Sequence, residues 1–128
     1  MRVHFDIIDM GKSIVEGKSY SFALRIINAY KYLSGEQKEY VLSKQMLRSG
    51  TAIGALCREA EHAQSKADFL NKMNVALKEA NETEYWLMLL KDSHYIGAEV
   101  FNSIEQDCDE LISLLVSIVK STKTNISK

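Results

Sequence analysis

Residues 76–91, ALKEANETEYWLMLLK, decide the fold because they place apolar side chains at helical spacing on two faces at once. One face extends an apolar seam that steps by four and three residues along the chain. The seam consists of Phe69, Met73, Ala76, Ala80, Thr83, Leu87 and Leu90. Steps of this kind predict a helix that packs along its length against other helices.

The same spacing recurs in three other segments, so the sequence predicts an all-α fold. The predicted seams of these segments are Phe22, Ile26, Tyr30 and Leu33; Leu42, Met46, Ser49, Ile53, Leu56 and Ala60; and Phe101, Ile104, Cys108, Leu111, Leu115 and Ile118. The predicted helices cover about residues 19–34, 37–62, 66–93 and 98–121. The chain has no proline and only six glycines, which is typical of a helical bundle. Because the connections are short, neighbouring helices should be antiparallel, giving an up-down-up-down four-helix bundle.

The 128 residues are enough for a single domain with an ordinary core. We predict that residues 18–121 form this bundle domain. Residues 1–17 carry a poor apolar pattern and are predicted to be a weakly structured N-terminal extension. The last residues, 122–128, are predicted to be a frayed tail.

Small residues and caps give more local predictions. Gly50 and Gly54 each cost a helix roughly 1 kcal/mol relative to alanine, so we expect a neighbouring helix to approach closely at both. Gly35 is predicted to end the first helix with a left-handed cap. Ser65, followed three residues later by Asp68, predicts the N-terminal cap of the third helix.

The sequence predicts a cytoplasmic protein without a membrane segment. The longest apolar runs, residues 85–90 and 111–119, fall well short of the ~20 residues that span a bilayer. The first residues lack the apolar core of a signal peptide. Cys57 and Cys108 form no CxxC pair and lie inside apolar helical patterns, as reduced core thiols do.

A second stripe runs along the third helix beside the core seam, and a monomeric bundle does not need it. It consists of Val75, Glu79, Glu82, Trp86 and Leu89. We expect another surface to cover this stripe and its two carboxylates to be partly buried. Buried carboxylates need a basic partner, and the outer side of the second helix offers Arg48, Lys44 and Arg58. The link could form within a chain or between subunits.

Catalysis is the minority interpretation, and no cofactor is expected. The sequence contains no Gly-rich phosphate loop, no GxSxG and no zinc-ligand spacing. Neither cysteine has a sequence-evident histidine partner. Glu59 and His62 form one Glu-x-x-His, the half-motif of carboxylate-bridged di-iron bundles, but the second half-motif is missing. A carboxylate-bridged metal protein is therefore an outside alternative. The simpler interpretation is that the glutamates have a structural role and that the histidine lies at the surface.

The charge is unevenly distributed although its net value is −1. Residues 18–48 are rich in bases, whereas residues 99–119 contain five acids and no base. Such polarity could orient subunits or bind a polyanion, although solvated helix faces are the simpler interpretation. The candidate nucleic-acid-binding residues are Lys18, Arg25, Lys31, Lys44, Arg48 and Arg58. The sequence lacks the aromatic stacking platforms that single-strand binders use.

Residues 31–96 closely resemble a family of small bacterial four-helix-bundle proteins. That family was first noticed as reading frames within intervening sequences of 23S ribosomal RNA genes. The matching pieces are SKQMLRSGTAIGA (43–55), SKADFLNKM (65–73) and ALKEANETEYWL (76–87). With the first helix, the likeness covers about residues 16–120. No single motif is diagnostic, but their order and spacing together are specific.

The resemblance implies a bundle that assembles as a homo-oligomeric ring, typically a pentamer. The accessory protein of diversity-generating retroelements is similar in fold, and there a basic barrel engages nucleic acid and a reverse transcriptase. Most members have no established activity. The family's recurrent polar and aromatic positions correspond here to Arg48, Glu59, Glu79, Glu82 and Trp86. The net charge of −1 departs from the strongly basic accessory protein.

Two functions from different classes follow. The first is a non-catalytic homo-oligomeric scaffold, with a pentamer favoured, that recruits a protein partner. The alternative is binding of RNA or single-stranded DNA by a basic face of the ring, because symmetry would multiply a modest charge per chain.

Overall fold

A computed structural model describes residues 7–127 of the chain, with side chains from residue 11 onward. Four helices account for most of these residues: α1 (Ile7–Gly35), α2 (Leu42–Ala60), α3 (Lys66–Asp92) and α4 (Ala98–Ser127). Each helix packs against the next in the sequence, and α4 closes the arrangement against α1. The prediction of an all-α, antiparallel four-helix bundle is confirmed.

The core follows the predicted seams. All seven seam residues of α3 are buried, and so are all six predicted on α4. On α1 and α2 three positions of the predicted seams, Tyr30, Leu42 and Leu56, are only partly buried and pack against the edge of the core. Apolar burial of this extent is the main force that holds such a bundle together.

The two glycines of α2 lie where α1 comes close, as predicted. A Cβ atom added at Gly50 would lie 2.9 Å from both Cγ atoms of Ile26, which is itself fully buried. A Cβ atom at Gly54 would lie 3.4 Å from the Ser19 hydroxyl oxygen, an ordinary contact. The absence of a side chain therefore matters more at Gly50 than at Gly54.

The prediction of weak structure at both ends was wrong for the residues described. Helix α1 begins at Ile7 rather than near residue 19, and α4 continues to Ser127. The added turns of α1 pack against α4, because Gly11 of α1 faces Ile118 of α4. Val15 is fully buried and Thr122 is 2% exposed. Both extensions therefore contribute buried side chains to the bundle, which neither segment signals alone. Residues 1–6 and 128 lie outside the described residues.

Helix α2 begins later than predicted because the side chain of Glu39, in the preceding loop, caps the N-terminus of the helix. The carboxylate of Glu39 accepts hydrogen bonds from the backbone N–H groups of Val41, Leu42 and Ser43 at 3.0, 2.9 and 2.7 Å. The Ser43 hydroxyl in turn donates to the Glu39 carbonyl oxygen at 2.7 Å. A negative charge at a helix N-terminus is also favoured by the helix dipole.

Glu39→Ala is expected to lower the free energy of unfolding by about 1–2 kcal/mol, because three backbone donors lose their acceptor. Chemical denaturation monitored by circular dichroism measures this. Glu36→Ala is the matched control, since Glu36 is exposed in the same loop and should change stability by less than about 0.5 kcal/mol. Equal effects of the two substitutions would contradict the capping role of Glu39.

The other caps are partly as predicted. The hydroxyl oxygen of Ser65 accepts a hydrogen bond from the N–H of Asp68 at 3.0 Å, which confirms the predicted start of α3. Helix α1 ends at Gly35, but the left-handed residue after it is Lys38, with φ 56°. The predicted left-handed glycine cap was therefore wrong.

Between residues 7 and 127, none of the helices offers an apolar window of bilayer-spanning length.

Candidate functional site

The two carboxylates of the second stripe on α3, Glu79 and Glu82, are tied to α2 within one chain. Arg48 donates to Glu79 at 3.3 Å through one guanidinium nitrogen and pairs with Glu82 through another. The indole N–H of Trp86 donates to the same Glu82 oxygen at 2.9 Å. We call these four residues the Arg48 cluster. In this cluster both carboxylates have hydrogen-bonding partners from the same chain, so they need no second subunit.

Burial within the Arg48 cluster is graded. The side chain of Glu79 is 16% exposed, that of Glu82 29% and that of Arg48 51%. Removing Arg48 would therefore leave two mostly buried carboxylates near each other without their cation. Because the guanidinium is half-exposed, the cluster fixes geometry more than it adds stability.

A buried hydrogen bond sets the register that brings this cluster together. The hydroxyl groups of Ser49 and Thr83 lie 2.8 Å apart inside the α2/α3 contact, and both residues are fully buried. Ser49 immediately follows Arg48, and Thr83 immediately follows Glu82. A shift of either helix by one turn would break this bond and separate the ion pair.

Glu59, the remaining family position, lies apart from the Arg48 cluster. It is exposed near the end of α2 and lies 3.4 Å from the ammonium group of Lys72. Its side chain is 57% exposed. His62 follows the end of the helix and is also exposed. Among the described residues, neither belongs to a group of three possible metal ligands.

The acidic face of α4 neutralises two of the candidate nucleic-acid-binding residues. Lys18 lies 2.9 Å from Glu110. Arg25 donates to Asp107 at 2.7 Å and to the carbonyl and hydroxyl oxygens of Ser103 at 3.1 and 2.8 Å. The charge polarity seen in the sequence is therefore partly compensated across the α1/α4 contact.

The three remaining candidate bases that are not paired with an acid lie exposed on α1 and α2. Lys31, Lys44 and Arg58 are exposed on α1 and α2. Within residues 11–127, no carboxylate lies within 4.0 Å of their side-chain nitrogens. The candidate basic track is thus reduced to three cations on the α1 and α2 side of the bundle.

A cluster of three carboxylates at the α3/α4 contact was missed by the sequence analysis. Oxygen atoms of Glu84, Glu105 and Asp109 lie within 4.8 Å of one another. One carboxylate oxygen of Glu105 is buried and has no hydrogen-bond partner. Helical geometry could have found the cluster, because Glu84 faces the opposite side of α3 from Glu82. We call these three residues the acidic cluster.

The acidic cluster changes the protonation of its central member. Burial first, and then hydrogen bonding and repulsion from the neighbouring carboxyl groups of Glu84 and Asp109, raise the pKa of Glu105 to about 8. A second, smaller case lies between α1 and the end of α2, where burial and then Glu61 raise the pKa of Glu16.

The two thiols do not have the character of nucleophiles. Both are buried and free. Burial raises the pKa of Cys57 to about 11 and that of Cys108 well above its usual range. The Cys108 thiol donates to the carbonyl oxygen of Ala80 at 3.4 Å, so it serves the α3/α4 contact.

Comparison with known proteins identifies the family. The family model of the 23S rRNA-intervening sequence protein matches residues 11–117. A solved structure from Bacteroides thetaiotaomicron VPI-5482, described as a protein with unknown function from the S23 ribosomal protein family, is 60% identical. It superposes with a TM-score of 0.85 over 86% of this chain and 98% of that one. Comparison with curated proteins gives no match.

The match spans nearly the whole bundle, and the structure that shares 60% of its sequence has the same fold. The resemblance predicted from three sequence motifs is thereby confirmed. The chain belongs to the 23S rRNA-intervening sequence protein family.

Proposed function

We propose that the protein is a non-catalytic, homo-oligomeric helical scaffold, a pentamer by family resemblance, that recruits a protein partner. The observation that carries the proposal is the number of large apolar side chains left outside the core. Four of them lie on two diagonally placed helices: Tyr20 (59% exposed), Leu24 (48%), Tyr85 (55%) and Met88 (47%). Side chains of this size on the outside of a compact bundle are typical of association surfaces.

Several features support a non-catalytic role. The thiols are buried with raised pKa values, and the Glu59–His62 pair is exposed and split by the end of α2. The polar groups of the Arg48 cluster are occupied with one another. In a scaffold, such a cluster holds α2 and α3 in register so that their outer faces keep a fixed shape.

Binding of RNA or single-stranded DNA is the second candidate. It is favoured by the exposed bases Lys31, Lys44 and Arg58, which symmetry would repeat around a ring. It is weakened by the pairing of Lys18, Arg25 and Arg48 with acids of the same chain.

Native mass spectrometry of the untagged protein, purified gently from its expressing cells, tests the proposal. We expect the mass of an assembly of five chains without additional nucleic acid. Heterogeneous mass that nuclease removes would favour the second candidate. A monomer at all concentrations would contradict the scaffold proposal.

Trp86→Ala separates the stability of the bundle from the assembly when chemical denaturation is measured beside native mass spectrometry. We expect a loss of about 1–3 kcal/mol in the free energy of unfolding, because a half-buried indole and its bond to Glu82 are removed. Tyr85→Ala is the matched control: it removes a neighbouring aromatic ring that is 55% exposed, so it should weaken association while leaving the unfolding free energy within about 0.5 kcal/mol.

A further inference from the structure

Polar side chains link the four helices in two pairs. Helix α2 is joined to α3 through the Arg48 cluster. Helix α4 is joined to α1 by two ion pairs, Lys18 with Glu110 and Arg25 with Asp107. The α3/α4 contact lies between one pair of helices and the other, and its polar groups are of a different kind.

The α3/α4 contact holds carboxyl groups where the other contacts hold ion pairs. Glu84 of α3 and Glu105 and Asp109 of α4 bring oxygen atoms within 4.8 Å of one another. Within residues 11–127, no basic side chain lies within 4.0 Å of these groups. Helix α1 also packs on α4, but its cations Lys18 and Arg25 are held by other acids of that helix. The acidic cluster therefore has no cation to compensate it.

Three carboxyl groups at this distance favour a shared proton, because each negative charge disfavours the next one. A carboxyl group can donate a hydrogen bond only when it is protonated, and one buried oxygen of Glu105 has no donor at present. With a proton, the cluster links α4 to α3 by hydrogen bonding; without it, the three charges repel across the contact. Burial first, and then Glu84 and Asp109, raise the pKa of Glu105 to about 8, so the proton is lost near neutral pH.

A buried thiol lies directly beside the acidic cluster. Cys108 is one helical turn from Glu105 and adjacent to Asp109 in the sequence. Its S–H group donates to the carbonyl oxygen of Ala80 in α3 at 3.4 Å, so it bridges the two helices. In an α-helix that carbonyl also accepts the N–H group of the residue four positions later, which is Glu84. Separation of α3 from α4 at the cluster would therefore expose this thiol first.

We propose that the acidic cluster is a proton-operated latch, which closes the α3/α4 contact while one carboxyl group holds a proton and opens it locally when all three are ionised. The α2/α3 and α4/α1 links stay in place, because their acids are already ionised and paired with bases. Near the turn between the helices, the ammonium group of Lys91 lies 4.6 Å from the centre of the Phe101 ring and holds α3 to α4. The latch acts within one chain, so the inference goes beyond the scaffold role.

Labelling of the two buried thiols with iodoacetamide tests the latch. Cys57 and Cys108 are both free and buried, so each reacts only when the structure around it opens. Cys57 lies in α2 beside Ser19 of α1, and Glu16, the carboxyl group near it, has Arg58 close by. Global unfolding and the rise of thiolate reactivity with pH affect both thiols. The ratio of their labelling rates, measured by peptide mass spectrometry, therefore reports opening at Cys108 alone.

We expect the ratio of the Cys108 rate to the Cys57 rate to rise at least about tenfold between about pH 6 and pH 8, because the closed form holds a proton that the open form releases. Glu105→Gln cannot ionise, so its ratio should change by no more than about twofold over the same interval. Glu99→Gln is the matched control on the same helix. Glu99 is exposed and forms no ion pair within residues 11–127, so this variant should behave as the wild type does.

Two results would overturn the latch. A constant ratio in the wild type would mean that the thiols are exposed only by the global unfolding that they share. A rise that Glu105→Gln leaves in place would mean that another group opens the contact. Circular dichroism checks that each variant is folded; should Glu105→Gln unfold the chain, Glu84→Gln removes the member that α3 contributes and should reduce the same rise.

Discussion

Gly50→Val is expected to lower the free energy of unfolding by about 2–3 kcal/mol, although valine is the better helix former. The reason is the contact with α1. A Cβ atom at position 50 would lie 2.9 Å from two Cγ atoms of Ile26 and 3.3 Å from its Cβ. Ile26 is fully buried, so it cannot move aside without displacing its own neighbours. Chemical denaturation measures the change.

Gly17→Val is the matched control for this substitution. Gly17 also lies inside a helix, but a Cβ atom there would meet nothing within 4 Å. The same chemical change should therefore alter stability by no more than about 0.5 kcal/mol. If both variants were equally destabilised, the loss in the free energy of unfolding would come from valine in the helix itself and not from the close approach of α1 and α2.

The stability of the protein is expected to fall as the pH rises from about 4.5 to about 8, through Glu105. In the folded protein the pKa of Glu105 is raised from 4.5 to about 8 by burial and then by Glu84 and Asp109. The unfolded chain ionises first, so the folded state binds more protons throughout this interval. The contribution is complete below pH 4.5 and is lost as the pH rises through the folded pKa.

Other carboxyl groups shape the same profile. Glu16, whose pKa is also raised by burial and by Glu61, acts in the same direction as Glu105. Glu39 acts in the opposite direction: burial alone would raise its pKa, but the backbone donors of Leu42, Ser43 and Val41 lower it below 4.5. Its contribution is present above pH 4.5 and is lost as the pH falls through its folded value.

Comparison with Glu105→Gln isolates the effect of the acidic cluster. The amide cannot ionise, so the variant should lose most of the decline between pH 4.5 and 8 and become more stable than the wild type at pH 8. Urea denaturation at five or six pH values gives both curves. Glu110→Gln is the control, because Glu110 is exposed and paired with Lys18 on the other side of α4. Parallel curves for the wild type and Glu105→Gln would show that Glu105 titrates normally.

The cations of α1 and α2 fall into two sets, one paired within the chain and one exposed. Cations of α1 and α2 that face α3 or α4 are paired within the chain, as Lys18, Arg25 and Arg48 are. Lys31, Lys44 and Arg58 are exposed, and no carboxylate of residues 11–127 lies within 4.0 Å of their side-chain nitrogens. The first set links the helices of the bundle, and the second set stays accessible to solvent.

The sequence by itself determined the fold and much of its interior. Period and spacing predicted four helices, the seven buried residues of α3, six of the buried residues of α4, and the close approach at Gly50. These features depend on local repetition, which a helix converts directly into one face. The sequence also offered Arg48, together with Lys44 and Arg58, as a candidate partner for Glu79 and Glu82, because these bases lie on the outer side of the adjacent helix.

Only the tertiary structure decided which charges meet. It joined the first turns of α1 to the last turns of α4, paired Lys18 and Arg25 with acids about 80 to 90 residues away, and collected Glu84, Glu105 and Asp109 into one cluster. Such contacts depend on the register and rotation of two helices, and no periodic pattern within one helix encodes them. They also decide which charges stay exposed on the outer faces of the bundle.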